Sequence, residues 1–376
     1  MHFYLDNASS VPCEKHILER FAVLASEYFA NQDSLSFHGR RSAKAVKEAE
    51  EKIFTLLSAD RAENGGVLSG NTGSSMLCAC IHGAGSFLNG GVVTSYAEHP
   101  SLLAALKRTS AFCHFPVYYC PVGRDGALDP DWLADLLQKE KIALAAFHHI
   151  QSETGFIQDL VSVRKLLDRY SPKTLFLADT IQSAGKYPLP WKEAKLDFAF
   201  ISGQKVGCTG GAALLYRKEF AKVFSSLRGS THIPGRCIPA HMLLLAEILE
   251  KILPDMEKNL AAMTALKRLL LEKIKEDKIP FEPTLAPENT SSYIQHFITT
   301  PYQGAILTRM LAEENISAAP GSACESETGE PSHTLKSMGI RKNELYNALR
   351  ISFWHHNTPE EITTLIHALK RSIAKY

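Results

Sequence analysis

A lysine stands at the mouth of the apolar run Phe198-Ala199-Phe200-Ile201, within FAFISGQKVGCTGG (198–211), with glycines around it. A buried ammonium is costly unless it is paired or chemically consumed, although a lysine at a strand end is ordinarily a surface charge. Other reactive residues occupy similar places. Asp179 closes LFLAD (175–179), and an acid on so apolar a tip needs a helix N-terminus, a cation or a ligand beside it. Gln182 follows in TIQSAGK, and His99 comes in AEHPS (97–101) directly after GVVTS (91–95). SGNTGSS (69–75) precedes the apolar MLCACI. A Gly/Thr/Ser loop opening a helix offers backbone N–H groups and hydroxyls that suit a phosphate, although such loops also serve as plain helix caps. It is not a P-loop, because no Gly-Lys-Ser/Thr follows. Cys324 lies in AAPGSACESETGEPSH, which is small, polar and without apolar period. That loop is expected to be exposed and mobile, an unusual setting for a cysteine.

The elements that must position these groups are legible as alternation. Strands are expected at 91–95, 143–151, 175–179, 198–203 and 212–217. Helices between them include 101–108, 129–141 and 160–170. Strand–helix alternation with nearly continuous apolar strands implies a largely parallel sheet covered on both faces. The strand at 212–217 follows the lysine too closely for a helical crossover and is expected to run antiparallel. In such sheets ligands bind at the C-terminal ends of the strands, where His99, Asp179 and Lys205 fall. From about Met242 the texture changes to long helices around Pro254, then a strand-like 292–300, a helix at 305–314 and an amphipathic final helix with a proline start. This reads as a smaller α+β domain with a boundary near 240–260.

The chain has 376 residues, 45% hydrophobic and 22% charged, with net charge +1. Such a balance gives no electrostatic case for direct binding to nucleic acid or an anionic membrane. No apolar run is long enough for a membrane span. The beginning, MHFYLDNASS, does not read as a secretory signal, so a cytoplasmic location is expected. Eight scattered cysteines without a CxxC pair suggest free thiols. His148 and His149 are adjacent, so on a strand they point opposite ways and cannot share a metal; no metal site is expected.

Phosphate loop, histidine, acid, glutamine and lysine occur in that order, each after a strand. In this order and spacing the chain resembles the cysteine desulfurases, pyridoxal-phosphate enzymes of the class V aminotransferase group. The resemblance spans nearly the whole chain. It begins with YLDNASS (4–10) and NQDSLSFHGRRSAKAVKEAEEKI (31–53), and continues with EHPS, ETG (153–155), ADTIQSAGK and SGQK. GSAC (321–324), EPSH (330–333) and LRIS (349–352) complete it. It implies a three-layer αβα transferase fold with a smaller α+β C-terminal domain. The large cofactor-binding domain would span 16–250, and the small domain 1–15 plus 251–376 with the Cys324 loop.

The resemblance further implies that Lys205 condenses with the aldehyde of pyridoxal 5'-phosphate, which removes the cost of its buried charge. Asp179 would keep the pyridine nitrogen protonated, and Gln182 would bond the phenolic oxygen. His99 would stack on the ring and shuttle protons. Thr72 and Gly73, with Ser202 and Gln204, would hold the phosphate, and Ser152 would approach the ring oxygen. Arg350 would grip the carboxylate of L-cysteine. Cys324 would take the sulfur as a persulfide while alanine leaves. The spacing from GSAC to EPS resembles the longer-loop branch, whose members supply iron–sulfur scaffolds and tRNA thiolation factors. A sulfur-acceptor protein and a homodimer are implied partners. Other class V reactions (aminotransferase, selenocysteine lyase or β-lyase) and a non-catalytic homologue are the alternatives.

The sequence departs from the family pattern at several points. Gln204 replaces a histidine, Ser152 an asparagine, and Gly73 an acid. Cys237 in GRCIP (235–239) replaces a threonine that reaches the phosphate across the dimer, with Arg236 beside it. His355 replaces an arginine. Glu325, Glu327 and Glu330 crowd Cys324 and would raise its thiol pKa.

Overall fold

The computed structural model describes residues 2–58, 65–227, 237–321 and 330–376. Its centre is a seven-stranded sheet. In chain order the strands are Gly65–Gly70 (β2), Gly91–Ser95 (β3), Val117–Cys120 (β4), Ile142–His148 (β5), Leu175–Asp179 (β6), Phe198–Ser202 (β7) and Ala212–Arg217 (β8); Phe3–Tyr4 (β1) lies outside this sheet. The spatial order is β2-β8-β7-β6-β5-β3-β4. β4, β3, β5, β6 and β7 are mutually parallel, and β8 runs antiparallel to both β7 and β2. The antiparallel reading of 212–217 follows from the short connection from β7, which leaves no room for a crossover helix.

Alternate residues of each strand pack in two separate apolar cores. Leu144, Ala146, Leu177, Phe198 and Phe200 face one side, with Met76 and Leu77 of α3 (Gly73–Gly85) and Leu102 and Leu106 of α4 (Pro100–Cys113). Ala145, Phe147, Phe176, Ala199 and Ile201 face the other. There they meet Ile53 of α2 (Phe37–Ser58), Leu133 of α5 (Pro130–Lys139), Val163 of α6 (Leu160–Tyr170) and Leu245 of α8 (Pro239–Ile252). Helices therefore cover both faces, which is why the strands carry apolar residues without alternation. α1 (Lys15–Glu27) packs on α8, and α7 (Ala221–Leu227) on α3.

Beyond α8 the long α9 (Met256–Glu276) leads to a three-stranded antiparallel sheet. Its strands are Glu282–Pro283 (β9), Ile294–Ile298 (β10) and Ala348–Ser352 (β12), in the order β12-β10-β9. Ile316–Ser317 (β11) pairs in parallel with β1, and Asp6 bridges to Ser352. The amino-terminal segment is thus stitched to the carboxy-terminal third of the chain. α10 (Gly304–Glu313), α11 (His333–Ser337) and α12 (Pro359–Lys375) complete the fold. α12 starts with a capping box, Thr358 with Glu361, and a proline in its first turn.

Candidate active site

A cavity of about 500 Å³ opens at the C-terminal ends of β5, β6 and β7. Thr72, Gly73, His99, Ser152, Asp179, Gln182, Ser202, Gln204, Lys205 and Arg350 all line it. Cys324 lies outside the described residues, as do Glu325, Glu327 and Arg236.

One wall is made by the starts of α3 and α4. Thr72 caps α3: its hydroxyl accepts the Ser75 N–H at 3.2 Å, and the Ser75 hydroxyl accepts the Thr72 N–H at 3.3 Å. The Ser74 and Ser101 hydroxyls, 2.7 Å apart, join the two helix starts. Gly73 is buried, and a Cβ there would stand 2.6 Å from Ile181 Cδ1 and 3.4 Å from Ser202 Cβ. The backbone at the head of a 13-residue helix thus comes unusually close to the cavity wall, an arrangement that favours an anion. His99 caps α4; its Nδ1 accepts the Ser101 N–H at 3.2 Å. Burial, then the charges of Lys205 and His333, push its imidazole down to about 4. His99 is therefore neutral near pH 7, with its proton on Nε2.

The opposite wall is acidic. Asp179 ends β6, and its Oδ1 accepts the Ile181 N–H at 3.1 Å. Burial raises its carboxyl to about 6, against the pull of that N–H and of His148 and Lys205. Gln182 donates through Nε2 to Ala8 O at 2.8 Å, while its Oε1 accepts from Lys186 Nζ at 3.3 Å. Lys186 is fully buried between the rings of Tyr293 and Trp354, each centroid 5.7 Å away, and burial lowers its amine to about 7. Lys205 follows β7 in a single 3₁₀ turn and donates to Ala8 O at 2.9 Å and to Ser9 O.

Arg350 comes from β12 and is buried. Its Nη2 bonds Asp6 Oδ1 at 2.7 Å and Ser9 Oγ at 2.9 Å, and its Nη1 bonds Ser152 O at 2.9 Å. Ser152 thus enters the site through its carbonyl. Glu153 is buried below: its Oε2 accepts from Ser332 Oγ at 2.7 Å, and a Cβ on Gly321 would lie 3.0 Å from its Oε1. Gly321 and Ser332 flank the segment that carries Cys324, so both stems of that segment rest on one carboxylate.

The groups present fit pyridoxal phosphate. A primary amine, a buried carboxylate and a helix start crowded against the wall meet in one cavity, matching an aldehyde, a pyridine nitrogen and a phosphate. Of the departures, Gly73, Ser152 and Gln204 line the cavity, and Cys237 and His355 do not. Gln204 is exposed. Cys237 is buried, its thiol pushed up to about 12 by burial, and its Sγ lies 3.4 Å from Ile238 O. His355 lies outside the cavity, in a surface cleft with Glu14 and Asp255. Glu14, His355 and His356 offer ligand atoms within 4.8 Å of one another there, a juxtaposition the sequence did not suggest.

Sequence reasoning missed Glu98, His148, Gln151 and His333, all of which line the cavity. His148 had a usable signal. It ends the apolar IALAAFH, in phase with Leu144 and Ala146, and so shares their face.

The class-V aminotransferase model matches residues 3–365. A protein of Dictyoglomus turgidum named cysteine desulfurase IscS is 26% identical, covering 99% of this chain and 94% of that one. Its namesake from Pseudoalteromonas translucida is 28% identical over 99% and 93%. Among solved structures, a NifS-like protein from Rickettsia africae superposes with a TM-score of 0.84 at 20% identity, covering 100% of both chains. That likeness is one of fold, and it agrees with the parallel sheet and two helical layers found here. With the fold, the cavity and a match over nearly its full length in agreement, the chain belongs to the class-V aminotransferase family, whose enzymes work with pyridoxal phosphate.

Proposed function

We propose that this chain is a pyridoxal-phosphate-dependent cysteine desulfurase, which converts L-cysteine to L-alanine and passes the sulfur to Cys324. The observation that carries this reading is the convergence of Lys205, Asp179, Gln182, His99 and Arg350 on one cavity, whose lining residue Glu153 accepts from Ser332 and lies close to Gly321, the residues that flank the Cys324 segment. The relatives' names point the same way.

Lys205 would hold the cofactor's aldehyde carbon, Asp179 its pyridine nitrogen, Gln182 its phenolic oxygen, and Thr72, Gly73, Ser202 and Gln204 its phosphate. The bound cofactor supplies an electron sink that labilises the Cα proton and the Cβ–S bond of the substrate. Arg350 binds the substrate carboxylate and thereby fixes which bonds face the ring. Its Nη1 has a second hydrogen beyond the bond to Ser152 O, and its Nε has no partner among the described residues, so two N–H donors are uncommitted to existing contacts. Lys205 Nζ is the base best placed to move the Cα proton. His99, neutral with its proton on Nε2, donates a hydrogen bond and stacks; its proton-free Nδ1 accepts the Ser101 N–H, and the ring does not take up a proton near pH 7. The Cys324 thiolate attacks the substrate sulfur. The S–S bond forms, the Cβ–S bond breaks, and its electron pair stays with Cβ, which is protonated as alanine forms.

We read the chain as two domains, 16–250 and 1–15 plus 251–376, the pairing of β1 with β11 supporting the second. We also propose a cytoplasmic homodimer that hands its sulfur to an acceptor protein. Phe29, Leu35 and Phe37 are exposed by 67%, 85% and 68%, an apolar surface that suits a second copy. No described helix is long and apolar enough to cross a membrane.

The test measures alanine and sulfide together from L-cysteine under reducing conditions. Lys205→Ala should fall to background. Cys324→Ala should lose both products yet keep the yellow cofactor band. Unchanged sulfide from folded Cys324→Ala removes the persulfide step, and a wild-type protein that takes up no cofactor removes the whole reading.

A further inference from the structure

The acidic wall contains a histidine that the reaction above does not use. His148 and Asp179 are register partners at the ends of the parallel strands β5 and β6, so their side chains stand side by side on one face of the sheet. Both are buried. Glu98, with no exposed surface at all, lies behind them: its Oε1 is 3.0 Å from His148 Nδ1 and accepts from Ser95 Oγ at 2.8 Å. A carboxylate can only accept, so Nδ1 carries a proton. His148 Nε2 is buried and has no hydrogen-bond partner among the described residues. Two carboxylates in a dry site disfavour each other's ionisation, and Glu98 does act on Asp179 in that sense. A cation beside them relieves the conflict.

We propose that His148 is a positioning residue: held as an imidazolium by Glu98, it stands beside Asp179 and keeps that carboxylate ionised for the pyridine nitrogen of pyridoxal phosphate. Burial alone would lower the imidazole, but the charge and hydrogen bond of Glu98 outweigh it, Asp179 adds to them, and its pKa lies above the ordinary value. The other charged or titratable groups around the pair are His149, next in the chain and pushed down to about 4 by burial and by His148, and Lys205, beyond β7. His333 of α11 donates through Nε2 to Glu98 O at 2.9 Å, so Glu98 holds one ring with its side chain and another with its backbone.

The inference rests on the cofactor reading above, and its test separates the two. Histidine ¹⁵N spectra of the wild-type protein, with and without pyridoxal phosphate, report the charge of His148 directly. Both ring nitrogens should be protonated at pH 7.5, and Glu98→Gln should abolish that signature. In the loaded enzyme, His148→Gln removes a positive charge next to a fixed anion, which raises the proton affinity of the remaining groups. The pH midpoint of the visible band should rise by about one unit, and cofactor affinity should fall about tenfold. A His148 with a single N–H at pH 7.5 in both forms overturns the proposal, as does a folded His148→Gln whose band midpoint and affinity match wild type. A wild-type protein without any visible band sinks the cofactor reading instead, and the spectra of the unloaded protein still decide the charge of His148.

Discussion

Two walls of one cavity hold histidines in opposite states. His99 accepts a backbone N–H at the start of α4, lies near Lys205, and is pushed down to about 4. His148 faces the carboxylate of Glu98 and is raised. The same side chain is neutral at the helix starts of the proposed phosphate wall and, in the proposal above, a cation beside Asp179. Charge state follows from the surroundings of each ring: burial and the charges of Lys205 and His333 keep a proton off His99, and the buried carboxylate of Glu98 draws one to His148.

The sharpest way to test the contrast compares the walls themselves. Asp179 is the one carboxylate proposed to face the pyridine nitrogen, whereas the phosphate wall shares its role among backbone N–H groups, Thr72, Ser202 and Gln204. Asp179→Asn removes a charge that nothing replaces, and kcat/KM should fall about 10³-fold. Thr72→Ala should cost only about tenfold, mostly in cofactor affinity, because the helix start remains. Equal losses in the two variants would erase the distinction between the walls. Steady-state kinetics with cofactor titration reads both.

The next effect is in stability against pH. His99 has a folded value of about 4, below the ordinary 6.5. As pH falls from about 6.5 toward 4 the unfolded chain takes up that proton first, so the contribution of His99 to stability is intact above 6.5 and lost on acidification. His148 has the opposite sign: its contribution is present below 6.5 and lost as pH rises through its raised folded value. Urea unfolding of the cofactor-free protein from pH 4.5 to 8 checks this. His99→Gln should flatten the acid limb by at most about 1.4 kcal/mol per pH unit. His149, His296 and His355, also lowered by burial, should keep the rest of that limb. His148→Gln should flatten the curve on the alkaline side instead. Parallel curves for both variants would remove the contrast.

Much of this arrangement was legible because the groups that matter sit at the tips of apolar strands. Asp179 and Lys205 announce themselves by interrupting a buried run, and the parallel sheet follows from strand–helix alternation. The strand expected over 143–151 ends at His148 because the chain leaves the ladder for a turn. There Gln151 N bonds Phe156 O at 2.9 Å and Gly155 N bonds Gln151 O at 3.0 Å. Glu98 was not legible, since a glutamate one step before a loop histidine reads as solvent-facing, and its bonds from His148 and Ser95 offset its burial. Arg350 was read from its motif, but its partner Asp6 is 344 positions away, and no local pattern joins them. His148 was read only as half of an adjacent pair, which excluded a shared metal and hid its phase with Leu144 and Ala146.

The smallest expected effect concerns Gly73, on the proposed phosphate wall. Its backbone is right-handed, so alanine meets no conformational penalty and the start of α3 can form as before. The added Cβ would stand 2.6 Å from Ile181 Cδ1, the end of a side chain that can turn aside, and 3.4 Å from Ser202 Cβ. Both residues line the cavity, so the methyl group adds bulk to the proposed phosphate wall. Gly73→Ala should therefore leave the stability of the cofactor-free protein within about 1 kcal/mol of wild type. Cofactor affinity should weaken severalfold. The effect should track the phosphate: affinity for pyridoxal, which lacks it, should not change. If Gly73→Ala weakens pyridoxal and pyridoxal phosphate alike, the crowding acts on the ring and not on the anion, and the phosphate belongs to a different part of the cavity.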